Sequence, residues 1–350
     1  MKNFDITYAK AFLTLMMILS ISFAFSPNIS LATLSTNFRW SQTLINFYSS
    51  LRLNLGDRVF NKAVIGKDGW VFYADAASIK DYQNSEPLSE AKLNFFQKRL
   101  SDLNLSLIDQ GITLLIVIPP NKSTIYPQYM PDEIPVLNEN SRLDQFIERM
   151  NDEKINAIDL RPVLLDASKK QDVYYKVDTH WNEMGAYYGY YEIINFLSDY
   201  DTRLIPHPLS DYEYVYQDNL LNPDLPSVLG IPSIKEERWV FLPKFPVQET
   251  KTLRLNLSDG RHVSKMTGKN AQLPSLLIYH DSFYSAHSAL SHFMEPHFKE
   301  ITGILFTPDK NIWSLDWIQQ EEPDIVIIEI VERNLDIALT LLLESASPFP

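Results

Sequence analysis

The sequence predicts an α/β protein in which helices cover both faces of a mostly parallel sheet, a three-layer α/β/α sandwich. Three observations carry this expectation. Residues 112–118 (ITLLIVI) form an unbroken branched-apolar run, as a strand buried on both faces requires. A helical stripe of Leu93, Phe96, Leu100, Leu103 and Leu107 precedes that run and stops at Gly111. Alternation returns late in the chain, with strands expected at 276–279, 301–306 and 325–330 and a helix at 285–293.

At the N-terminus, residues 11–25 (AFLTLMMILSISFAF) are charge-free and follow Lys2 and Lys10. This run of ~15 residues suits a signal-peptide core better than the ~20 of a spanning helix. Residues 1–33 are therefore expected to be a signal peptide, with Ser30, Leu31 and Ala32 as candidate cleavage residues, or an uncleaved signal anchor touching the membrane. Either way, residues 34–350 are expected outside the cytoplasmic membrane as one catalytic domain. A buried core helix is the alternative reading of the run.

Phe38, Trp40, Leu44, Phe47, Leu51, Leu55 and Val59 recur at helical spacing, as in a stalk or packing helix. Residues 64–73 read as a hairpin, with Gly66, Asp68 and Gly69 supplying turn chemistry between two apolar strands. Ser89 caps the helix expected at 88–110. The strand at 112–118 ends at Pro119 and Pro120, so Lys122 lies just beyond a carboxyl end, where ligands bind in open α/β sheets. A helix at 141–151, a strand at 155–160 and a loop at 161–176 lead to Val177, Asp178, Thr179, His180 and Trp181, and a helix follows at 182–197. Residues 199–270, proline-rich with short apolar runs, read as an irregular, partly β insertion.

Composition narrows the function. The 350 residues are 45% apolar, which fits a globular core, and 31 basic against 44 acidic residues give a charge of −13 with no basic run. Nucleic acid is not an expected partner. The chain has no cysteine, which removes disulfide scaffolds, thiolate nucleophiles and thiolate zinc sites. His280, His287, His292 and His297 crowd one region with Asp281. Steps of five on a helix rotate by ~500°, so His287, His292 and His297 share no face, and no metal or cofactor is expected.

The chemistry resides in two stretches. A serine attacks an acyl carbonyl when an imidazole takes its proton, and a carboxylate orients that imidazole. Asp178 stands two residues before His180 at a helix mouth, and Ser282 follows an apolar strand. Each has a plainer reading: His180 as a capping or core-edge histidine packed on Trp181, Ser282 as a helix N-cap. A serine at a helix N-terminus also has backbone N–H groups beside it for an oxyanion, so capping does not separate the readings.

The motif of Asp178, Thr179, His180 and Trp181 with Asn182 and Gly185, and the later Asp281, Ser282 and Phe283, resembles the SGNH-hydrolase-like polysaccharide O-acetyltransferases of the alginate O-acetylation type, the AlgX/AlgJ group. Residues 66–72 (GKDGWVF), Pro120 to Lys122 with Tyr126 and Pro127, Asp224 with Leu225, residues 323–326 (PDIV), Glu332 and Arg333 agree in the same order. Together they cover most of residues 60 to 340. His280 departs from the pattern, standing where a glycine usually precedes the nucleophile segment. No carbohydrate-binding module is evident after Arg333.

The resemblance implies a triad of Ser282, His180 and Asp178, and a motif order circularly permuted relative to ordinary SGNH esterases. It also implies acetyl transfer to an exported polysaccharide, with acetyl supplied by a membrane-bound O-acyltransferase. Lys122, Arg333, Trp181 and Tyr279 are the weaker expected substrate-binding or supporting residues. A carbohydrate acetylesterase with the same triad and a non-catalytic polysaccharide-assembly scaffold are the alternatives.

Overall fold

The computed structural model describes Thr14 and residues 41–60, 62–231, 235–256, 262–285, 290–306 and 314–345. The expected signal segment, apart from Thr14, and His287 lie outside the described residues. The chain divides into two units, Met1–Leu55 and Gly56–Pro350. In the first, α1 (Ser41–Asn54) occupies the middle of the helix expected from periodicity. Among the described residues, no helix is long and apolar enough to cross a membrane.

The second unit opens with the expected hairpin, β1 (Ala63–Ile65) antiparallel to β2 (Val71–Tyr73). Its turn holds Asp68 at φ 53° and Gly69 at φ 82°, the left-handed region in which glycine is unstrained. Next come α2 (Ala76–Tyr82), α3 (Glu90–Asp109), β3 (Thr113–Ile118) and α4 (Lys122–Ile125). The Ser89 hydroxyl accepts from Lys92 N–H and caps α3. α5 (Arg142–Asp152) starts with a capping box in which Ser141 and Asp144 satisfy each other's backbone. β4 (Ala157–Asp159), α6 (Arg161–Ser168) and α7 (Glu183–Leu197) follow.

Residues 199–270 do not form one irregular insertion. β5 (Tyr212–Leu221) and β6 (Glu236–Pro243) make a separate antiparallel pair flanking the short α8 (Asp224–Leu229). β7 (Thr250–Asn256) and β8 (His262–Gly268) instead extend the main sheet. They pair with each other, and the strand that joins them to the sheet through β8, β10 (Glu300–Leu305), lies beyond β9 (Ser275–His280) in sequence, so no local pattern marks them as part of it. α9 (Ser282–Ser285) and α10 (Leu290–Met294) stand at either end of the expected helix 285–293, and 286–289 lie outside the described residues. α11 (Asp316–Glu321), β11 (Ile325–Glu329) and α12 (Leu335–Ser345) complete the chain.

The seven strands run in the order β4-β3-β11-β9-β10-β8-β7. The first five are mutually parallel, and β8 runs antiparallel to both of its neighbours, β10 and β7. Period-two alternation sends each strand's side chains to two cores. Leu115, Val117, Ile278 and Ile327 pack with α7 and its neighbours, while Ile116, Ile118, Leu277 and Ile328 pack with α3, α5 and α12. Both faces are thus covered, as the unbroken apolar run of β3 demands. Because β3, β11 and β9 are parallel, the segments following them emerge at one edge, which is where the site forms.

Candidate active site

The Asp178 loop carries little regular secondary structure, and a buried lysine and a half-buried glutamate hold it from opposite directions. Lys122, at the first position of α4, donates to the carbonyls of Tyr175 (3.1 Å), Lys176 (3.0 Å) and Asp178 (2.6 Å). The Glu236 carboxylate, on β6, accepts the N–H groups of Lys176 (2.7 Å) and Val177 (3.0 Å). The ammonium also lies 5.8 Å and 5.4 Å from the Trp70 and Phe72 ring centres, within cation–π range. Burial lowers Lys122 from 10.5 to about 8, against the pull of Glu236 and Asp178, and burial raises Glu236.

Beyond the loop, Asn182 accepts from Met184 and Gly185 N–H and caps α7, which fixes the backbone just after His180. Trp181 lies beneath that helix, so close that a Cβ on Gly185 would meet the Val173 carbonyl oxygen at 2.2 Å and Trp181 Cβ at 2.8 Å.

Asp178 is 0% exposed and His180 6%. Asp178 Oδ1 accepts from His180 N–H (3.0 Å) and faces His180 Nδ1 at 2.7 Å, while Oδ2 accepts from Asp224 N–H (2.9 Å). Asp224 in turn accepts from Thr179 N–H (2.8 Å). Burial pushes Asp178 upward, yet these hydrogen bonds and the imidazole prevail and hold it at about 2. His180 Nε2 lies 2.9 Å from Ser282 Oγ. With Nδ1–H assigned to Asp178, the Nε2 lone pair faces the serine, the orientation a general base needs.

Asp178, His180 and Asp224 each place a potential ligand atom within 4.8 Å of the others. Both carboxylate oxygens of Asp178 and both ring nitrogens of His180 are already engaged, so the cluster is a hydrogen-bond relay.

Ser282 opens α9 directly after β9. Asp281 takes the capping role: its Oδ1 accepts from Phe283 N–H (2.9 Å) and its Oδ2 from Val331 N–H (2.8 Å). The Phe283 N–H, one of the backbone groups beside Ser282, is therefore committed to Asp281. Beneath the turn, Glu329 accepts from Asp281 N–H (2.9 Å). Burial first, and then the neighbouring Asp281, hold the Glu329 carboxyl well above its usual range. His280 points into the sheet with Nδ1 2.8 Å from the Asp281 carbonyl oxygen, and burial lowers it to about 4.

His180 and Ser282 open on a cleft of about 900 Å³ shared with Tyr73, Asp75, Asp224 and Arg333. Arg333 Nη1 donates to Asn121 Oδ1 (3.2 Å), and the guanidinium lies 5.5 Å from the Phe283 ring centre. Asn121 N–H and Thr124 Oγ–H both donate to Glu332, at 2.8 Å and 2.6 Å, and tie this arm to the end of β11.

Of the expected residues, Asp178, His180, Ser282 and Arg333 thus come together. Lys122 sits beneath them, 4% exposed, with its ammonium on backbone carbonyls; it is no surface ion-pair residue, and it braces the loop without reaching the cleft. Trp181 and Tyr279 are wholly buried core residues away from the cleft, and Tyr279 donates to the Ser314 carbonyl (2.7 Å). Sequence reasoning missed Glu236 and Glu329, for which no local signal exists.

Comparisons with known proteins agree with this architecture. Residues 63–212 match the family described as "SGNH hydrolase-like domain, acetyltransferase AlgX", a stretch that includes Asp178 and His180 and ends before Ser282. The chain is 27% identical over 143 residues to the "Probable alginate O-acetylase AlgJ" of Pseudomonas aeruginosa, covering 40% of this chain and 34% of that protein. The chain thus matches about a third of that relative's length. Among solved structures it resembles PatB1 of Bacillus cereus with a sulfonyl adduct, at TM-score 0.61 and 18% identity over 78% of this chain and 96% of that one. It also resembles the O-acetyltransferase domain of Pseudomonas putida AlgJ, at TM-score 0.50 and 16% identity over 81% and 99%. Identities this low speak for the fold. Residues 63–212 are thus similar to the SGNH hydrolase-like domain of AlgX, and the fold as a whole to PatB1 and the AlgJ O-acetyltransferase domain.

Proposed function

We propose that the chain is an extracytoplasmic O-acetyltransferase that modifies an exported or cell-wall polysaccharide through an acetyl-serine intermediate. The observation that carries this reading is the unbroken relay from Asp178 through His180 to Ser282, opening on a cleft. Asp178 fixes the imidazole tautomer and stabilises the imidazolium. Ser282 Oγ bonds to the acetyl carbon of a donor ester as its proton passes to His180 Nε2. Collapse of the tetrahedral intermediate expels the donor's oxygen, which takes that proton. A sugar hydroxyl then attacks the acetyl-serine, gives its proton to His180, and Ser282 leaves with it.

The likeness to an alginate O-acetylase supports a polysaccharide acceptor. A membrane-bound O-acyltransferase supplies the acetyl group in this scheme, and the apolar run at residues 11–25 supports a position near the membrane it would share. Arg333 is the proposed contact for donor or acceptor at the cleft wall.

The test measures acetate release from an activated acetyl ester by purified protein and by Ser282→Ala, then transfer to sugar oligomers. Ser282-dependent release with transfer is the expected result. Release without transfer makes the protein an acetylesterase, and no Ser282-dependent release leaves the scaffold reading.

A further inference from the structure

A second cleft, of about 510 Å³, lies between β6 and the α10 segment and is distinct in its lining from the triad cleft. Its volume falls within the range of small-ligand sites. Phe241, Phe245 and Phe293 give it aromatic walls, and Arg238, Glu183 and Glu295 give it charge. Glu183 is 2% exposed, and one of its oxygens accepts from the Tyr175 hydroxyl at 2.5 Å. The other oxygen, Oε1, has no hydrogen-bond partner. It faces Arg238 Nε at 3.6 Å, close enough for ion pairing and too far for a hydrogen bond; that Nε is also buried and makes no hydrogen bond. Buried polar groups without hydrogen bonds are costly and rare, so this pair has capacity to spare for a ligand.

The chemistry of the lining selects the ligand. A facing carboxylate and guanidinium suit adjacent hydroxyls, which donate to the one and accept from the other. Aromatic walls suit the apolar C–H face of a pyranose ring. An anion is disfavoured, because Glu183 offsets Arg238 and Glu295 adds a second carboxyl.

We propose that this cleft binds one neutral sugar residue, held by Arg238 and Glu183 against the three phenylalanines. The site is joined to the triad support. Arg238 stands two residues after Glu236 on β6, and Tyr175, which bonds Glu183, belongs to the loop that Lys122 and Glu236 brace. The inference extends the polysaccharide reading above by naming a second sugar subsite, and its experiment reads binding, so the two can fail separately.

Ligand-observed NMR on the full chain would use glucose, galactose, mannose, N-acetylglucosamine and glucuronate at millimolar concentration. At least one neutral sugar is expected to bind wild type and Ser282→Ala alike. Arg238→Met should weaken that binding about tenfold or more, the loss of a hydrogen bond to a charged group, and Val240→Trp should weaken it as much by filling the cleft. Glucuronate should bind no more tightly than glucose. Absence of any neutral-sugar binding that depends on either substitution overturns the proposal, and so does tighter binding of glucuronate.

Discussion

Replacing Lys122 by methionine separates what the buried ammonium does for stability from what it does for catalysis. Methionine keeps an apolar stem of similar length and deletes the hydrogen bonds to the carbonyls of Tyr175, Lys176 and Asp178. Two terms then oppose each other. Each buried carbonyl left without its donor costs about 1–3 kcal/mol. Against that, the fall of Lys122 from 10.5 to about 8 corresponds to about 3 kcal/mol held against the charged form, which methionine does not bear. The net expectation is a loss of about 3 kcal/mol. A loss in kcat of about 100-fold is expected beside it, because Asp178 moves with its loop and small misplacements at a reacting centre cost that much.

The pH dependence makes the reasoning refutable. The folded pKa of Lys122 lies below its unfolded value, so between about pH 8 and 10.5 the unfolded chain holds more protons and the Lys122 contribution to stability rises with pH. The same deprotonation leaves the carbonyls one donor short, so activity falls through about pH 8. Denaturant titrations and kcat for both proteins from pH 6 to 10 give the comparison. A folded Lys122→Met with near-normal kcat, or an alkaline limb that persists in it, would refute the brace.

Two other substitutions probe the base half. Asp178→Asn places an amide against Nδ1 and favours the wrong tautomer, so kcat should fall on the order of 10⁴-fold in the ester assay. Asp178 is held at about 2, below its usual 3.8, so its stability term is present above pH 3.8 and is lost as pH falls through 2. The stability difference between wild type and Asp178→Asn should shrink by about 2 kcal/mol across that window. Gly185→Ala drives a methyl into the Val173 carbonyl and Trp181, so denaturation should show a loss of about 1–3 kcal/mol or more.

What the sequence reveals of this site depends on how local each signal is. Asp178 and His180 are legible because they share one short loop before a capped helix. Ser282 is legible because it follows an apolar strand. The sheet centre is legible in β3, whose two faces feed two cores. The supports are not, because a lone glutamate such as Glu236 or Glu329 meets its partners through pairing distant in the chain. Nearness to a motif also misleads. Trp181 adjoins His180 yet packs under α7 against Gly189, and Tyr279 shares its face of β9 with Leu277, toward α3 and α12. The same limit hides β7 and β8, whose place in the sheet is set by β10.

The two halves of the relay share one structural problem and solve it in the same way. Both the loop before Asp178 and the turn bearing Ser282 leave regular secondary structure at the sheet's edge, where backbone N–H and C=O groups need other partners. In the first, Lys122 supplies donors and Glu236 acceptors to consecutive peptides. In the second, Asp281 accepts from Phe283 and Val331 while Glu329 accepts from Asp281. Side chains thus replace the missing ladder on both sides of the 2.9 Å contact between His180 and Ser282. Buried ionisable groups are an expensive substitute, since each is pushed from its ordinary pKa by burial. A neutral core could fill the same space but could not satisfy peptides of both polarities, so these residues hold the loop and the turn in place.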